Sequence, residues 1–378
     1  MESKPRSKSR PKLGAWRNVA SARRLIGRLR VRSYAAMLSV LAALSLTNAA
    51  RADEGGVSFW IPGLFGSLAA APQVPGWAIA AFNYYDAVRA GGTVAAARQV
   101  TIGRFNPTVN VNLNANLKAN PDLVFVNPTY VFATPVFGGQ FAVGMLAGAG
   151  RSIASINGTL TATAGPLTLT RQGTIEDARD GFSDIVPLAT LRWNNGVNNW
   201  MTYITGDIPV GMYNSASLAN IGLGHGAIDG GVSYTYFDPK TGHEFSATTG
   251  VTYNLVNPAT GYQNGVDWHL DWGASQFMTK QLQLGLVGYF YRQLSADQGC
   301  LPQLCLFESQ VIGVGPQIGY LFPVAGMQGY INLKGYGEFD GVDRPHGYNV
   351  WLTLSLSPAP PSAQPSPPAM LTKAPPRS

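Results

Sequence analysis

The stretch TVNVNLNANLK, residues 108–118, alternates apolar residues with asparagines and ends on a lysine. Successive side chains of a β-strand point to opposite faces, so this stretch would have one apolar face and one face of amides. In a helix the same residues would be scattered around the circumference. The alternation therefore predicts a strand with one side in an apolar medium and the other in a polar medium.

The alternation returns in 242–255, 263–276 and 349–356. Nine less regular candidates lie at 76–86, 122–134, 138–150, 182–195, 197–207, 226–237, 280–294, 307–321 and 327–340. No run of 18 or more apolar residues follows residue 52, which argues against helical membrane spans. Bacterial barrels use even strand numbers. About thirteen candidates therefore predict an all-β, antiparallel, transmembrane outer-membrane β-barrel of 12 or 14 strands.

The composition supports a barrel with one wet and one lipid-facing side. Charged residues make up only 12% of the chain, against about 25% in an average soluble protein. Glycine (44 residues) and aromatic residues (11%) are abundant, and the mean hydropathy is near zero at +0.03. Uncharged polar residues thus dilute the apolar ones, as alternating strands in a membrane require. The alternative of a soluble β-sandwich or solenoid is less favoured.

The formal charge of +7 comes from the N-terminus. Of 27 basic residues, 12 lie in 1–52 with a single acidic residue, which leaves 15 basic and 19 acidic residues afterwards. An apolar run at 34–46 and the sequence Ala50-Arg51-Ala52 follow the basic stretch, in the order of a secretory signal. We therefore predict a signal peptide over 1–52 that is cleaved after Ala52, with cleavage after Ala50 as the second choice. No nucleic-acid partner is expected.

The remaining chain divides into three parts. Residues 53–75 are rich in glycine, proline and aromatic residues and alternate poorly. The barrel itself is predicted over 76–357. The Pro-rich tail at 358–378 can join neither a sheet nor a helix, so it is expected to be disordered.

Five stretches within about 54–357 resemble the outer-membrane transporter family named for the meta-pathway of phenol degradation. They are GGVSFWIPGLFGSLAA (55–70), GFSDIVPLATLRWNNGVNNWMTYITGDIPVGMY (181–213), LANIGLGHGAIDGGVSYTY (218–236), HLDWGASQFMTKQLQLGLVGY (269–289) and GPQIGYLFPVAGMQGYINLKGYGEFD (315–340). The resemblance implies a barrel that passes hydrophobic or aromatic compounds across the outer membrane. Many outer-membrane proteins end in an aromatic residue, whereas this chain continues into its Pro-rich tail, so VWLTLSLS (350–357) would have to act as an internal assembly signal.

Polar residues on the predicted strands are candidates for the lumen or the substrate path. They are Asn110, Asn112, Asn114 and Asn116 of the first stretch, Arg192, and the row Asp267, His269 and Asp271. Neighbours two residues apart on a strand lie about 7 Å apart, too far to converge on a metal unaided. A hydrogen-bonded polar row is therefore favoured over a metal site, and no cofactor is expected. The whole lumen should be rich in amides and poor in charges.

Aromatic and apolar residues in the poorly alternating segment suggest a plug. Phe59, Trp60, Leu64 and Phe65 would be unfavourable in water, so we favour a segment folded into the lumen over an exposed extension or a first strand. Cys300 and Cys305 are candidates for a loop disulfide, because two nearby cysteines in an oxidising periplasm pair readily. Neither catalytic residues nor a metal site is predicted.

The favoured function is a passive outer-membrane channel for small hydrophobic or aromatic compounds, with the cargo class implied by the resemblance alone. Two alternatives remain open: a barrel-borne lipid hydrolase and a structural surface barrel. The expected partners are outer-membrane lipid and lipopolysaccharide, the barrel-assembly machinery and a small hydrophobic solute. The expected location is the bacterial outer membrane, reached by export through the inner membrane.

Overall fold

The computed structural model describes residues 58–94, 109–164, 166–299 and 308–360 and shows an antiparallel all-β fold. Within these ranges no helix is long and apolar enough to cross a membrane. The predicted signal peptide with Ala52, the two cysteines Cys300 and Cys305, and the tail beyond residue 360 lie outside the described residues. Statements about them stay predictions.

The strands follow one another in chain order. They are β1 (Gly76–Val94), β2 (Val109–Val131), β3 (Gln140–Ala164), β4 (Leu167–Phe182), β5 (Val186–Asn195), β6 (Asn198–Asp207), β7 (Ala227–Phe237), β8 (His243–Asn254), β9 (Asp267–Phe277), β10 (Leu282–Gln293), β11 (Gln310–Val324), β12 (Met327–Val342) and β13 (His346–Pro358).

The sheet closes on itself because β1 pairs with both β2 and β13. β3 pairs with β5 along Gln140–Leu146 and with β4 along Ala149–Ala164. The closed ring therefore contains 12 strands, and β4 is an extra strand beside the far half of β3. A closed ring leaves no unpaired backbone edge facing lipid. The predicted barrel is confirmed, with the lower of the two strand numbers.

The strand positions differ most from the prediction in the first half of the chain. β2 joins two predicted segments, 108–118 and 122–134, because Pro121 disturbs the alternation without ending the strand. The far half of β3 and most of β4 were not predicted. Glycine, serine, threonine and alanine dominate the far half of β3, and β4 carries charged residues on both faces, so the contrast between the two faces is weak.

The two faces of the ring have opposite character. In β8, the outward side chains of Phe245, Val251 and Tyr253 are 45%, 45% and 53% exposed, while Glu244 and Thr252 are buried on the other face. Exposed apolar side chains around the outside of a closed ring are what contact with lipid requires. The buried polar face is therefore the lumen, as the alternation predicted.

On β2 the outward face changes from apolar to polar at one level. Val126 and Val124 are exposed, and the next outward residue, Asp122, is also exposed and lies opposite Arg151 of β3. Arg151 in turn forms an exposed ion pair with Asp180 of β4, at 3.9 Å. Charges of this kind mark the boundary of the hydrocarbon. The parts of β1–β4 beyond this boundary, here called the extension, are residues 88–94, 109–122, 151–164 and 167–180.

The lengths of the connections indicate the orientation of the barrel. At the end where β1 begins and β13 ends, the turns are short, such as 196–197 and 325–326. At the opposite end the connections are longer, such as 208–226 and 255–266. Barrels of this class have short periplasmic turns and longer extracellular loops. The extension therefore projects on the extracellular side.

The position of Asn116 corrects one prediction. Asn116 is exposed and shares the strand parity of Val124, so it lies on the outward face of the extension and not in the lumen. The side chains of Asn110, Asn112 and Asn114 lie outside the described part of the chain, although their backbone pairs with β3 within the extension. The prediction failed because the outward face above the membrane meets water, where amides are favourable.

This boundary predicts different costs for a charge at two outward positions. Val232, 54% exposed in the middle of β7, should lose about 2–4 kcal/mol of unfolding free energy on Val232→Arg, since arginine would face the hydrocarbon. Asn116→Arg in the extension should leave stability nearly unchanged. Denaturant titration in lipid vesicles measures both, and equal losses would contradict the assigned boundary.

Candidate functional site

Residues 58–75, here called the inner segment, lie against the lumen face before β1 begins. Trp60 is only 1% exposed. Backbone N–H groups of the inner segment donate to lumen side chains on three neighbouring strands, each at 3.0 Å: Gly63 to Asp271 of β9, Leu68 to Glu244 of β8 and Ala70 to Thr235 of β7. A segment without regular structure thus obtains part of its hydrogen bonds from the barrel wall and part from turns of its own, as buried backbone must.

Asp271 and Lys334 form hydrogen bonds with the same two residues of the inner segment. The N–H groups of Gly63 and Phe65 donate to the two carboxylate oxygens of Asp271 at 3.0 and 3.4 Å. The Lys334 ammonium donates to the carbonyl oxygens of the same two residues at 2.5 and 3.2 Å. Both charged side chains are buried, so these charge-assisted hydrogen bonds are screened little by water. They fix the middle of the inner segment between β9 and β12.

The Trp60 ring stacks on the His269 ring, with centroids 3.5 Å apart and planes 12° apart. His269 Nε2 lies 3.0 Å from Asp229 Oδ2 of β7 and 3.3 Å from the Tyr203 hydroxyl of β6. Phe65 completes the group, 5.5 Å from Trp60 between ring centroids. The inner segment is therefore seated on the lumen wall by aromatic packing as well as by hydrogen bonds.

The row Asp267, His269 and Asp271 lies on the lumen face, with all three side chains buried. Asp267 accepts a hydrogen bond from Asn254 Nδ2 at 2.8 Å, while Asp271 binds the inner segment. Each member of the row thus has a different partner. Among the described residues, no group of three or more His, Cys, Asp or Glu side chains could hold a metal ion.

Arg192 contacts the inner segment near the periplasmic mouth. Its guanidinium donates to Gln73 Oε1 at 3.0 Å and to the Ala69 carbonyl at 3.4 Å. The Gln73 N–H donates to Gln140 Oε1 at 3.0 Å, and Gln140 Nε2 donates back to the Gln73 carbonyl. A cavity of about 320 Å³ lies here, between the inner segment and the 132–140 turn.

One half of the lumen is aromatic. Ten buried residues of seven strands form a single cluster: Phe82 and Tyr84 of β1, Phe125 of β2, Leu146 of β3, Val287, Tyr289 and Tyr291 of β10, Val311 of β11, Tyr336 of β12 and Trp351 of β13. Ile61 and Leu64 of the inner segment pack against this cluster. Tyr84 and Trp351 are 4.5 Å apart between ring centroids, and Tyr289 and Tyr336 are 4.8 Å apart.

Alternation within single strands did not predict this aromatic cluster, because its residues come from seven strands that meet only in the closed ring. In 349–356, the alternation already placed Trp351 with Asn349, Thr353 and Ser355, on the polar side. The presence of Trp351 among these polar, lumen-facing residues was the one sequence signal that could have indicated an aromatic lumen. In β10 the lumen-facing residues include Val287, Tyr289 and Tyr291, so the strand is apolar on both faces and no alternation is visible.

The other half of the lumen is polar and corrects a second prediction. β7 and β8 present hydroxyls such as Ser233, Thr235, Ser246, Thr248 and Thr252. Four carboxylates stand among them, all 4% exposed or less: Asp229, Glu244, Asp267 and Asp271. A lumen poor in charges was the wrong expectation. These acidic residues serve as acceptors for hydroxyl, amide and backbone N–H donors, which their alternation alone did not reveal.

Three of the four predicted plug residues, Trp60, Leu64 and Phe65, pack against the lumen wall. Phe59 and Trp60 are buried, and Leu64 and Phe65 are partly buried against two clusters of the barrel. That these residues control the passage of solutes stays a prediction. The hydrogen bonds between Asp271 and the inner segment allow it to be tested.

Replacing Asp271 by asparagine should loosen the inner segment, because an amide accepts more weakly than a carboxylate and cannot accept at both atoms. We expect Asp271→Asn to raise the mean conductance of single channels in planar bilayers and the frequency of open states. Asp180→Asn, at an exposed carboxylate of the extension, is the matched control and should leave both unchanged. An unaltered conductance in a folded Asp271→Asn protein would contradict the prediction that the hydrogen bonds to Asp271 restrict opening of the channel.

Comparison with known proteins places this fold. A family model described as "Putative MetA-pathway of phenol degradation" matches residues 91–354. An outer membrane channel from Pseudomonas putida F1 has 13% sequence identity and a TM-score of 0.55, covering 79% of this chain and 98% of that chain. The transport unit of the autotransporter AIDA-I from Escherichia coli has 8% identity and a TM-score of 0.35, covering 80% and 95%. The latter likeness is too weak to support a conclusion.

Comparison with curated proteins finds no similar sequence. The family model nevertheless spans more than two thirds of the chain, and the likeness to the Pseudomonas channel agrees with the closed 12-strand ring. The protein therefore belongs to the family of the MetA-pathway of phenol degradation and has the fold of an outer-membrane β-barrel.

Proposed function

We propose that the protein is a passive outer-membrane channel for small hydrophobic or aromatic compounds. The aromatic half of the lumen carries this proposal. Barrels that conduct water-soluble solutes have a polar interior. Here one side of the interior consists of rings such as Tyr289, Tyr336 and Trp351. An aromatic solute would find partners there that water does not offer.

The attraction comes from dispersion and ring geometry. Each heavy-atom contact contributes only about 0.1–0.2 kcal/mol, but a small aromatic solute makes many of them at once. Aromatic pairs add about 0.5–1.5 kcal/mol beyond the buried area. The Lys334 ammonium lies 5.2 Å from the Trp351 ring centroid and 5.9 Å from that of Tyr336, so the same rings also interact with a cation.

The inner segment has to move for a solute to pass. It contacts both halves of the lumen, through Trp60 on the polar side and Ile61 and Leu64 on the aromatic side. Its contacts to Asp271 and Lys334 are hydrogen bonds and ionic contacts, which can break and re-form without covalent chemistry. Transport is then driven by the concentration gradient of the solute alone, with no cofactor.

The remaining predictions complete the proposed route to the membrane. The chain is exported through the inner membrane on a signal peptide cleaved after Ala52 and is inserted by the barrel-assembly machinery. Outer-membrane lipid and lipopolysaccharide surround the apolar outer face. A disulfide between Cys300 and Cys305 staples the loop between β10 and β11.

An enzymatic role as a lipid hydrolase would need a serine activated by histidine. His269 bonds to Asp229 and Tyr203, and His225 bonds to the Gly226 carbonyl, so neither observed contact is of that kind. We therefore propose a channel and no catalytic activity.

Replacing a lumen aromatic should reduce transport, whereas replacing a lipid-facing one should not. Trp351→Gln removes a ring from the aromatic cluster, and we expect the initial uptake rate of labelled toluene into proteoliposomes to fall about fivefold, from the loss of about 1 kcal/mol of aromatic contact. Trp200→Gln, at a 44% exposed position on the outer face of β6, is the control.

Equal uptake by Trp351→Gln and the unmodified channel would contradict the role of the aromatic half. Uptake no faster than in protein-free liposomes by the unmodified channel would contradict the proposed function itself. Heat-modifiable migration on a gel checks that each variant has formed a barrel.

A further inference from the structure

In the extension, the sheet face that continues the lumen is mostly apolar; Arg171, between Leu169 and Ile175, and Asp177 and Arg179, at the lower end of β4, also lie on it. Leu117 of β2 lies opposite Ile156 of β3, which lies opposite Ile175 of β4. Leu117 shares the strand parity of Phe125, and Ile156 shares that of Leu146, two members of the aromatic cluster. Directly paired residues point to the same face of a sheet. The three apolar residues therefore form a row above the lumen, on the side toward the barrel axis.

The β4 part of this face is open. Leu167, Leu169 and Ile175 are 67%, 44% and 65% exposed and share one face of the strand. The connection after β6 covers only the lower end of β4, where the N–H groups of Leu218 and Ala219 donate to Asp177. The exposed residues stand beyond the hydrocarbon boundary, so lipid tails do not cover them. Apolar surface left open above a membrane usually marks an interaction site.

The opposite face of the extension is polar. Thr168, Thr170 and Thr174 of β4 are exposed there, as is Asn116 of β2. Lipopolysaccharide and neighbouring proteins reach the barrel from this outer side, where the surface is hydrophilic. Only a molecule that enters the space above the lumen meets the leucine and isoleucine side chains.

The apolar face is continuous with the aromatic cluster. Below Leu117 on the same face of β2 lies Leu123, which packs against the aromatic cluster, and then Phe125, which belongs to it. The axis-facing side of β2 between Leu117 and Phe125 thus contains no charged residue.

We propose that the axis-facing side of the extension, with Leu117, Ile156, Leu167, Leu169 and Ile175, is a receiving surface for small apolar aromatic solutes. It binds them weakly on the extracellular side and delivers them along β2 to the aromatic cluster. This inference rests on the proposed function, which supplies the occupant. A surface of this kind raises the local concentration of a poorly soluble compound at the entrance of the lumen.

Thiol labelling with naphthalene as the probe tests the receiving surface. In a Cys300→Ser/Cys305→Ser background reconstituted in nanodiscs, Ile175→Cys places a thiol on the apolar face, and Thr170→Cys places one on the polar face of the same strand. The labelling rate with a water-soluble maleimide is measured with and without naphthalene. We expect naphthalene to slow labelling of Ile175→Cys at least about threefold, since a bound ring blocks the thiol, and to leave Thr170→Cys unchanged.

Two outcomes would overturn the proposal: equal labelling of Ile175→Cys with and without naphthalene, or slow labelling of this thiol before naphthalene is added, which would show that the chain itself covers the face. Naphthalene uptake into proteoliposomes by the same proteins separates this failure from that of the channel. Uptake without protection of Ile175→Cys leaves the proposed function standing and removes the receiving surface. Protection without uptake keeps the binding face and removes the channel.

Discussion

Backbone hydrogen bonding in lipid is the constraint on which the rest of the structure depends. The hydrocarbon offers no partners, so every strand of the ring must pair on both sides, and the pairing of β1 with β13 completes the circle. Closure fixes the register, and the register fixes which face each side chain occupies. A slip by one residue would put Asp267, His269 and Asp271 into lipid and Trp268 into the lumen. The aromatic half and the polar half of the lumen both follow from which alternate residues of each strand point inward.

A lumen built in this way contains polar groups that must be satisfied. The inner segment meets part of that need with its own backbone, whose N–H groups donate to Asp271, Glu244 and Thr235. Its apolar side chains cover apolar and aromatic surface of the lumen, because Trp60 stacks on His269 and Leu64 packs on the aromatic cluster. In the proposed channel, these contacts, each weak singly, are exchanged for contacts with a solute when it passes.

Sequence alternation predicted the barrel and the lumen side of β8 and β9, because one face meets lipid and the other does not. It failed at Asn116, where the outward face meets water and amides are favourable. It also failed at Tyr289, because β10 is apolar on both faces and shows no alternation. Lys334 donates hydrogen bonds to Gly63 and Phe65 of the inner segment, from which it is separated by 271 and 269 positions in the sequence. No local pattern contains such a contact, since it exists only after the ring has closed.

The central claim is that the inner segment occupies the lumen and must move for an aromatic solute to pass. Gln317 Nε2 of β11 donates to the Ser67 hydroxyl of the inner segment, so thiols at these two positions lie within reach of a short, reducible bis-thiosulfonate cross-linker. Toluene uptake by Ser67→Cys/Gln317→Cys, in a background without the native cysteines, is the direct measurement. The account predicts that cross-linking abolishes uptake and that reduction restores it. Undiminished uptake through the cross-linked channel would contradict it.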